Sequence, residues 1–311
     1  MDTSEQVNIT QEEEDELLQE LTPQLAQKRR SQGRIIFDRF LRNRTATMGA
    51  IFLIVLFLFC FLGPTLTGHN RPDDVNVTDP FAPPSWQYPF GADDLGRDFF
   101  ARAMVGGQIS LLVGLSSMLV AILLGTGIGA FAGYYGGLVD NLLMRVTDTI
   151  LAVPLYLLLF VLSASFSNGS PASIIILIAI FGWTTSARLV RGEFLSLKER
   201  EFVRAAQTVG ARNLRLMFRH ILPNALGPII VNATILVGGN IILESVLSYF
   251  GFGIRVPVAS WGSMVSTGQG FFDNNPRLVF VPGLLIFFTV LSCNLVGDGL
   301  RDALDPHMTE R

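Results

Sequence analysis

Few residues in this chain have the type and spacing needed for covalent or metal chemistry. Its only two lysines, Lys28 and Lys198, do not follow a glycine, so the sequence has no GxxxxGKS or GxxxxGKT loop to bind nucleotide phosphates. The three histidines lie far apart, at positions 69, 220 and 307, without the H-E-x-x-H spacing or the cysteine partner of a zinc site. We therefore predict no catalytic residues, no metal site and no cofactor bound by this chain.

Two acidic residues, Asp148 and Glu244, fall within long apolar stretches. A charge at the centre of a bilayer costs about 2.5 to 3.5 kcal/mol on insertion scales, so ionisable groups there usually mark an ion path. We expect Asp148 to pair with Arg145, one turn away, and Glu244 to reach the membrane interface and help to hold an outer loop. Neither residue predicts a proton relay.

The polar segment 198–223 (KEREFVRAAQTVGARNLRLMFRHILP) lies between apolar stretches. Ala205 and Ala206 favour a first helix, and Gly210 can adopt the positive φ that ends it. A second helix is predicted to begin near Arg212 or Asn213 and to end at Pro223. One face of this second helix is apolar and is predicted to pack against the rest of the chain (Leu214, Met217, Phe218, Ile221 and Leu222). Arg212, Arg215 and Arg219 lie on the opposite face, toward water or a protein.

Two interpretations of this segment are possible. It could be a solvated basic loop attracted to anionic lipid headgroups, as many juxtamembrane charge runs are. The fixed order of a small-residue pair, a glycine break and an amphipathic helix favours a docking surface for a soluble partner instead. The residues predicted to form that surface are Arg204, Ala205, Ala206, Gly210, Arg212, Arg215 and Arg219.

The composition is typical of a membrane protein, because half of the residues are apolar and only 16% are charged. Six stretches of about 20 mostly apolar residues could cross a bilayer. They are residues 47–66, 109–133, 143–166, 173–191, 225–248 and 279–298. We predict a tail at 1–46 with a basic amphipathic segment, the first span, an outer loop at 67–108, a five-helix core at 109–298 and a tail at 299–311.

Arginine and lysine are distributed unequally between the two sides of this topology. Seven precede the first span and eight lie between the fourth and fifth, whereas 67–108 has three, 167–172 none and 249–278 two. The positive-inside rule therefore places both termini and segment 198–223 in the cytoplasm, with the chain as a multi-pass protein of the plasma (inner) membrane.

Small residues recur every four positions along and just beyond the second predicted span, at Ala121, Gly125, Gly129, Gly133 and Gly137. Such a ridge allows another helix to approach closely. It could be a static packing seam within this chain or part of a moving interface, and the seam is favoured. On the outer side, residues 67–108 are predicted to form an irregular loop along the membrane surface. Within 93–102, an aspartate cap and the i, i+4 pair of Asp98 and Arg102 are expected to start a helix that leads into the second span.

Segment 198–223 resembles the "EAA" loop of the membrane subunits of binding-protein-dependent ABC importers. The resemblance rests on Ala205 and Ala206, Gly210 four residues on, and the HILP sequence at 220–223; Arg204 stands where the family usually has glutamate. Four further stretches resemble the C-type permeases of the dipeptide, oligopeptide and nickel branch. They are residues 90–98 (FGADDLGRD), 244–253 (ESVLSYFGFG), 260–262 (SWG) and 294–302 (NLVGDGLRD).

The resemblance implies an all-α type I importer permease (MetI-like) with six transmembrane helices and a cytoplasmic coupling loop. It implies a heterodimer with a homologous permease subunit, two ATP-binding subunits that carry ATP and Mg²⁺, a substrate-binding protein outside, and no nucleic acid. The alternative is an ion-coupled secondary carrier acting alone, which would need interrupted spans and buried charges. An intramembrane enzyme is a more distant alternative, and the cargo stays open between peptides, nickel, glutathione and other solutes.

Overall fold

The computed structural model describes residues 32–255 and 257–304. These residues form helices and connecting segments, with one isolated bridge between Ala92 and Asp98. The helices are α1 (Gln32–Arg42), α2 (Arg44–Phe61), α3 (Gly63–Thr67), α4 (Phe99–Tyr135), α5 (Gly137–Ala152), α6 (Leu155–Phe166), α7 (Pro171–Leu197), α8 (Glu201–Thr208), α9 (Asn213–Tyr249), α10 (Trp261–Gln269) and α11 (Arg277–Leu304). The predicted all-α fold is thereby confirmed.

Five of these helices are long and apolar enough to cross a membrane: α2, α4, α7, α9 and α11. The sixth candidate span is the pair α5 and α6, whose axes differ in direction by 84°. The span predicted at 143–166 is therefore broken in the middle instead of being one straight helix. Pro154 lacks an N–H and forces Val153 out of the helical region, to φ −86° and ψ 132°, so the helix breaks there.

Helix α4 starts ten residues before the predicted span because of a strong N-terminal cap. The Asp98 carboxylate accepts hydrogen bonds from the backbone N–H groups of Phe100 and Ala101, at 2.9 and 3.3 Å. The predicted pair between Asp98 and Arg102 is wrong. Arg102 instead donates to Asp73 at 2.8 Å, and Asp98 contacts the His69 ring.

Helix α4 lies at the centre of the bundle, against α7, α9 and α2. A Cβ atom at Gly125, Gly129 or Gly133 would lie 2.8, 2.4 or 2.7 Å from a backbone carbonyl oxygen of α7. These three glycines therefore allow α4 and α7 to pack backbone to backbone within this subunit. Gly137 lies outside the seam, since a Cβ there would meet no atom within 4 Å.

The two predicted tails lie partly outside the described residues, which omit 1–31 and 305–311. The basic amphipathic segment is helical from Gln32, and α1 packs against the last helix, where Asn43 donates a 3.3 Å hydrogen bond to Asp302. Helix α11 extends to Leu304, six residues beyond the predicted end of the last span.

Candidate coupling surface

The first half of segment 198–223 is the short helix α8, which ends at a glycine. Gly210 has a φ of +85°, in the left-handed region that the sequence predicts for it. Its N–H donates to the Gln207 carbonyl at 2.9 Å, and the next N–H, of Ala211, donates to the Ala206 carbonyl at 3.1 Å. These bonds close the end of the helix and turn the chain.

The second half begins at Asn213, as predicted, but Pro223 does not end it. Helix α9 runs through Pro223 to Tyr249 as one element. Residues Leu216–Ile221 form a π-helical turn, and the N–H of Leu222 bonds to the Met217 carbonyl, five residues back. The wider turn accommodates a proline in the first turn of the α-helical part, where its missing N–H costs little.

The π-helical turn also changes which side chains face the bundle. Leu216, Met217 and Ile221 are buried and pack in a cluster with Val203 and Phe194. Leu214 and Phe218, which the 3.6-residue period assigned to the buried face, are 57% and 50% exposed. That part of the prediction is wrong because the π turn advances fewer degrees per residue than an α-helix does.

We use the name coupling surface for Arg204, Ala205, Ala206, Gly210, Arg212, Arg215 and Arg219, the residues predicted to meet a partner. All are exposed except Ala206, which is partly buried in the cluster beneath. Four exposed apolar side chains lie on the same two helices, and sequence reasoning did not predict their exposure. They are Phe202, Val209, Leu214 and Phe218, exposed between 42% and 88%. Val209 could have been found from the sequence, since it immediately precedes the helix-ending glycine.

Two hydrogen bonds attach segment 198–223 to the spanning helix α4, and an ion pair beside them joins α7 to α5. The Tyr134 hydroxyl of α4 donates to the Asn213 side-chain oxygen at 3.0 Å, and Lys198 donates to the Gly133 carbonyl at 3.2 Å. Arg191 of α7 makes a bidentate pair with Asp140 of α5, at 2.5 and 2.6 Å. The loop that carries the coupling surface is therefore hydrogen-bonded to α4 at both of its ends.

Arg204, at the position where the importer family usually has glutamate, has an acidic partner within the loop. Its guanidinium donates to the Glu199 carboxylate at 2.8 Å, and both side chains are more than 60% exposed. A pair this exposed contributes little to stability, because both charges stay solvated. The guanidinium can therefore exchange Glu199 for a carboxylate of another protein.

The two acidic residues within the apolar stretches have other partners than those predicted. Asp148 accepts a 2.5 Å hydrogen bond from Arg188 of α7 instead of pairing with Arg145. Glu244 is fully buried, so the prediction that it reaches the interface is wrong. Its carboxylate accepts hydrogen bonds from Ser110 of α4 at 2.9 Å and Ser248 at 2.7 Å.

Glu244 nevertheless helps to hold the segment between α9 and α10, through these two serines. The Ser248 oxygen accepts the Ile254 N–H at 3.0 Å, and the Ser110 oxygen accepts the Trp261 N–H at 3.2 Å.

Among residues 32–255 and 257–304, no group of three or more His, Cys, Asp or Glu side chains could hold a metal ion.

Comparison with known proteins identifies the family. Residues 125–310 match the model of the binding-protein-dependent transport system inner membrane component, and residues 31–84 match the N-terminal transmembrane domain of oligopeptide transport permease C. The oligopeptide transport system permease protein OppC of Bacillus subtilis (strain 168) is 40% identical over 270 residues, which are 87% of this chain and 88% of that protein.

Two further relatives cover the chain equally well. The dipeptide transport system permease protein DppC of Alkalihalophilus pseudofirmus is 39% identical over 89% of this chain and 91% of its own length. The glutathione transport system permease protein GsiD of Pectobacterium atrosepticum is 37% identical over 90% of this chain and 92% of its own length. Since the family model covers more than half of the sequence, this multi-pass membrane chain belongs to the family of inner membrane components of binding-protein-dependent transport systems.

Proposed function

We propose that this chain is the permease subunit of an ATP-driven importer of di- and oligopeptides. Two of the relatives above are named for oligopeptide and dipeptide transport, and the third is named for glutathione, itself a small peptide. The observation that carries the proposal is the coupling surface, with four arginines and small residues beside exposed apolar side chains. It lies on a helical pair that is hydrogen-bonded to α4 and packs on Phe194 of α7.

The proposed assembly has five components. A homologous permease subunit pairs with this chain to enclose the pathway, two ATP-binding subunits bind ATP and Mg²⁺, and a substrate-binding protein delivers cargo outside. Both termini and the coupling surface are cytoplasmic, as the distribution of arginine and lysine predicts. The ATP-binding subunits lie on that side, so the coupling surface is within their reach.

In the proposed mechanism, closure of the ATP-binding subunits on nucleotide moves the coupling surface, and alternating access follows. The buried side chains beneath the surface, Val203, Leu216 and Met217, make it a rigid body with the ends of the spans. The contacts of Tyr134 and Lys198 pass the motion to α4. The break at Pro154 separates α5, which is paired to α7, from the outer half-helix α6.

The test is uptake of a labelled dipeptide by the full transporter in proteoliposomes. ATP is supplied on the side of the membrane where the ATP-binding subunits lie. Gly210→Val is expected to abolish uptake with the protein still in the membrane, because a β-branched residue strongly disfavours φ +85°. Gly68→Val is the matched control: Gly68 also has positive φ, +78°, with no atom within 4 Å of a Cβ, but lies far from the coupling surface.

Normal transport by the Gly210 variant would remove the assignment of the coupling surface. The same vesicles separate the proposal from an ion-coupled carrier. ATP-driven uptake continues when an ionophore dissipates the ion gradients, whereas a secondary carrier works without ATP and stops with the ionophore.

A further inference from the structure

The outer segment between α3 and α4 carries one tryptophan that is entirely exposed. We use the name Trp86 tip for residues 83–89 (PPSWQYP). Trp86 has a relative exposure of 102%, whereas the chain's other tryptophans, Trp183 and Trp261, are 8% and 0% exposed. A tryptophan has a large apolar area to bury, so complete exposure leaves that area for something outside the chain.

The Trp86 tip has a defined conformation. The N–H of Ser85 donates to the Tyr88 carbonyl at 2.9 Å, and the N–H of Tyr88 donates back to the Ser85 hydroxyl at 3.0 Å. Prolines at 83, 84 and 89 fix three φ angles in the same seven residues. A partner that binds the tip therefore pays little conformational entropy to order it.

The base of the tip is clamped to the start of α11 by one guanidinium. Arg277 donates to the carbonyl oxygens of residues 81, 82, 90 and 92, at 2.9, 2.7, 2.8 and 3.0 Å. Gly91, with φ +71°, leaves room for this fork, since a Cβ there would lie 1.8 Å from an Arg277 nitrogen. Movement at the tip is therefore coupled directly to the last span.

The tip stands over the end of the bundle rather than along its side. Phe81 and Phe90, which flank it, pack on a core cluster that includes Phe99, Trp261 and Leu278, at the starts of α4, α10 and α11. The segment between α3 and α4, residues 68–98, is acidic, with six aspartates against two arginines. Asp73 and Asp74 pair with Arg102 and Arg71, and Asp79 is exposed. An acidic surface is repelled by anionic lipid headgroups, which favours a protein over the bilayer as the partner of Trp86.

We propose that Trp86 is the anchor on which the extracytoplasmic substrate-binding protein docks, through an apolar pocket with a basic rim. The inference rests on the proposed function, which places this end of the bundle outside. Tryptophans are over-represented among the residues that dominate interface energies, and a rigid, fully exposed one on an acidic surface has the chemistry of such an anchor. The Arg277 clamp then connects docking to α11.

The test is a titration of the reconstituted transporter with its cargo-loaded binding protein, measuring ATP hydrolysis. Trp86→Ala is expected to raise the binding-protein concentration for half-maximal stimulation about 10- to 30-fold and to leave the maximal rate unchanged. For Trp86→Phe, the concentration for half-maximal stimulation is expected to lie between those of the unmodified protein and Trp86→Ala. Val75→Ala is the matched control, an apolar residue of the same outer segment that is 52% exposed, and no shift is expected.

The two levels of the hypothesis fail differently. If the unmodified transporter does not respond to the binding protein, the proposed function fails. If it responds and Trp86→Ala shifts nothing, the anchor is wrong. Transporter in liposomes with brominated lipid, without binding protein, tests the bilayer as the partner. The fluorescence of Trp86 is the difference between the unmodified protein and Trp86→Phe, and we expect that brominated lipid does not quench it. Quenching would place Trp86 in the membrane and overturn the inference.

Discussion

Arg188 of α7 donates a 2.5 Å hydrogen bond to Asp148 of α5, and both side chains are 51% exposed. The two residues lie 40 positions apart in the sequence. Their hydrogen bond joins α5, which ends just before the break at Pro154, to α7, which packs on α4. Together with Arg191 and Asp140, they form a pair of parallel links between α5 and α7.

The first prediction concerns this link. Asp148→Asn or Arg188→Gln is expected to lower the free energy of unfolding by about 0.2 to 1 kcal/mol, because each removes one partner of a half-exposed pair. The double variant with the charges exchanged, D148R/R188D, is expected to recover most of the loss. Thermal unfolding of the purified protein in lipid nanodiscs measures the change, and Arg145→Gln serves as the control. An equal loss from the control would show that Arg145 is the partner.

The second prediction concerns the buried carboxylate. Glu244→Leu removes the acceptor of both Ser110 and Ser248, so two buried hydroxyls lose a partner, at about 1 to 3 kcal/mol each. Glu244→Gln keeps one acceptor oxygen, and a smaller loss is expected. Limited proteolysis of residues 250–260 from the outer side should accelerate in the leucine variant, because these residues depend on the same serines. An unchanged cleavage rate in Glu244→Leu would contradict the role assigned to the network.

The third prediction uses two glycines of one helix. Gly129→Ala is expected to destabilise the protein by about 1 to 3 kcal/mol, since its Cβ would lie 2.4 Å from the Ala187 carbonyl and α7 would have to move. Gly127→Ala is the matched control, with no atom within 4 Å, and up to about 1 kcal/mol of stabilisation is expected from helix propensity. The midpoints of thermal unfolding should therefore shift in opposite directions, and equal shifts would exclude the close seam.

The fourth prediction separates the two sides of the π-helical turn. Phe218→Ala is expected to weaken association with the ATP-binding subunits and to leave the stability of this chain within about 0.5 kcal/mol, because the ring is 50% exposed. Met217→Ala, one residue before, is expected to cost about 2 to 5 kcal/mol of stability, because its side chain is fully buried. Co-purification of the ATP-binding subunits and thermal unfolding, measured on the same preparations, distinguish the effects. Destabilisation by both variants would mean that the π turn is misplaced.

Features that depend on local chemistry could be predicted from the order of the amino acids. Apolar runs of sufficient length indicate the spans, because backbone groups in a bilayer must bond within their own helix. Gly210 ends a helix because few other residues tolerate positive φ, and the repeat at Gly125, Gly129 and Gly133 places small residues on one face because four residues make about one turn. The family was also visible at this level, since its motifs are short and contiguous.

The side-chain pairings and the exceptions to the helical period depend on how the helices pack together. Asp148 and Arg188 meet across 40 residues, and Glu244 is buried by α4 and α10, elements that the local sequence around it does not reveal. The π turn that exposes Phe218 and buries Leu216 is held by the cluster beneath it, so a 3.6-residue period could not predict it. Side-chain partners depend on the distance between elements in space, and that distance is set by packing of the whole bundle rather than by the residues next in the chain.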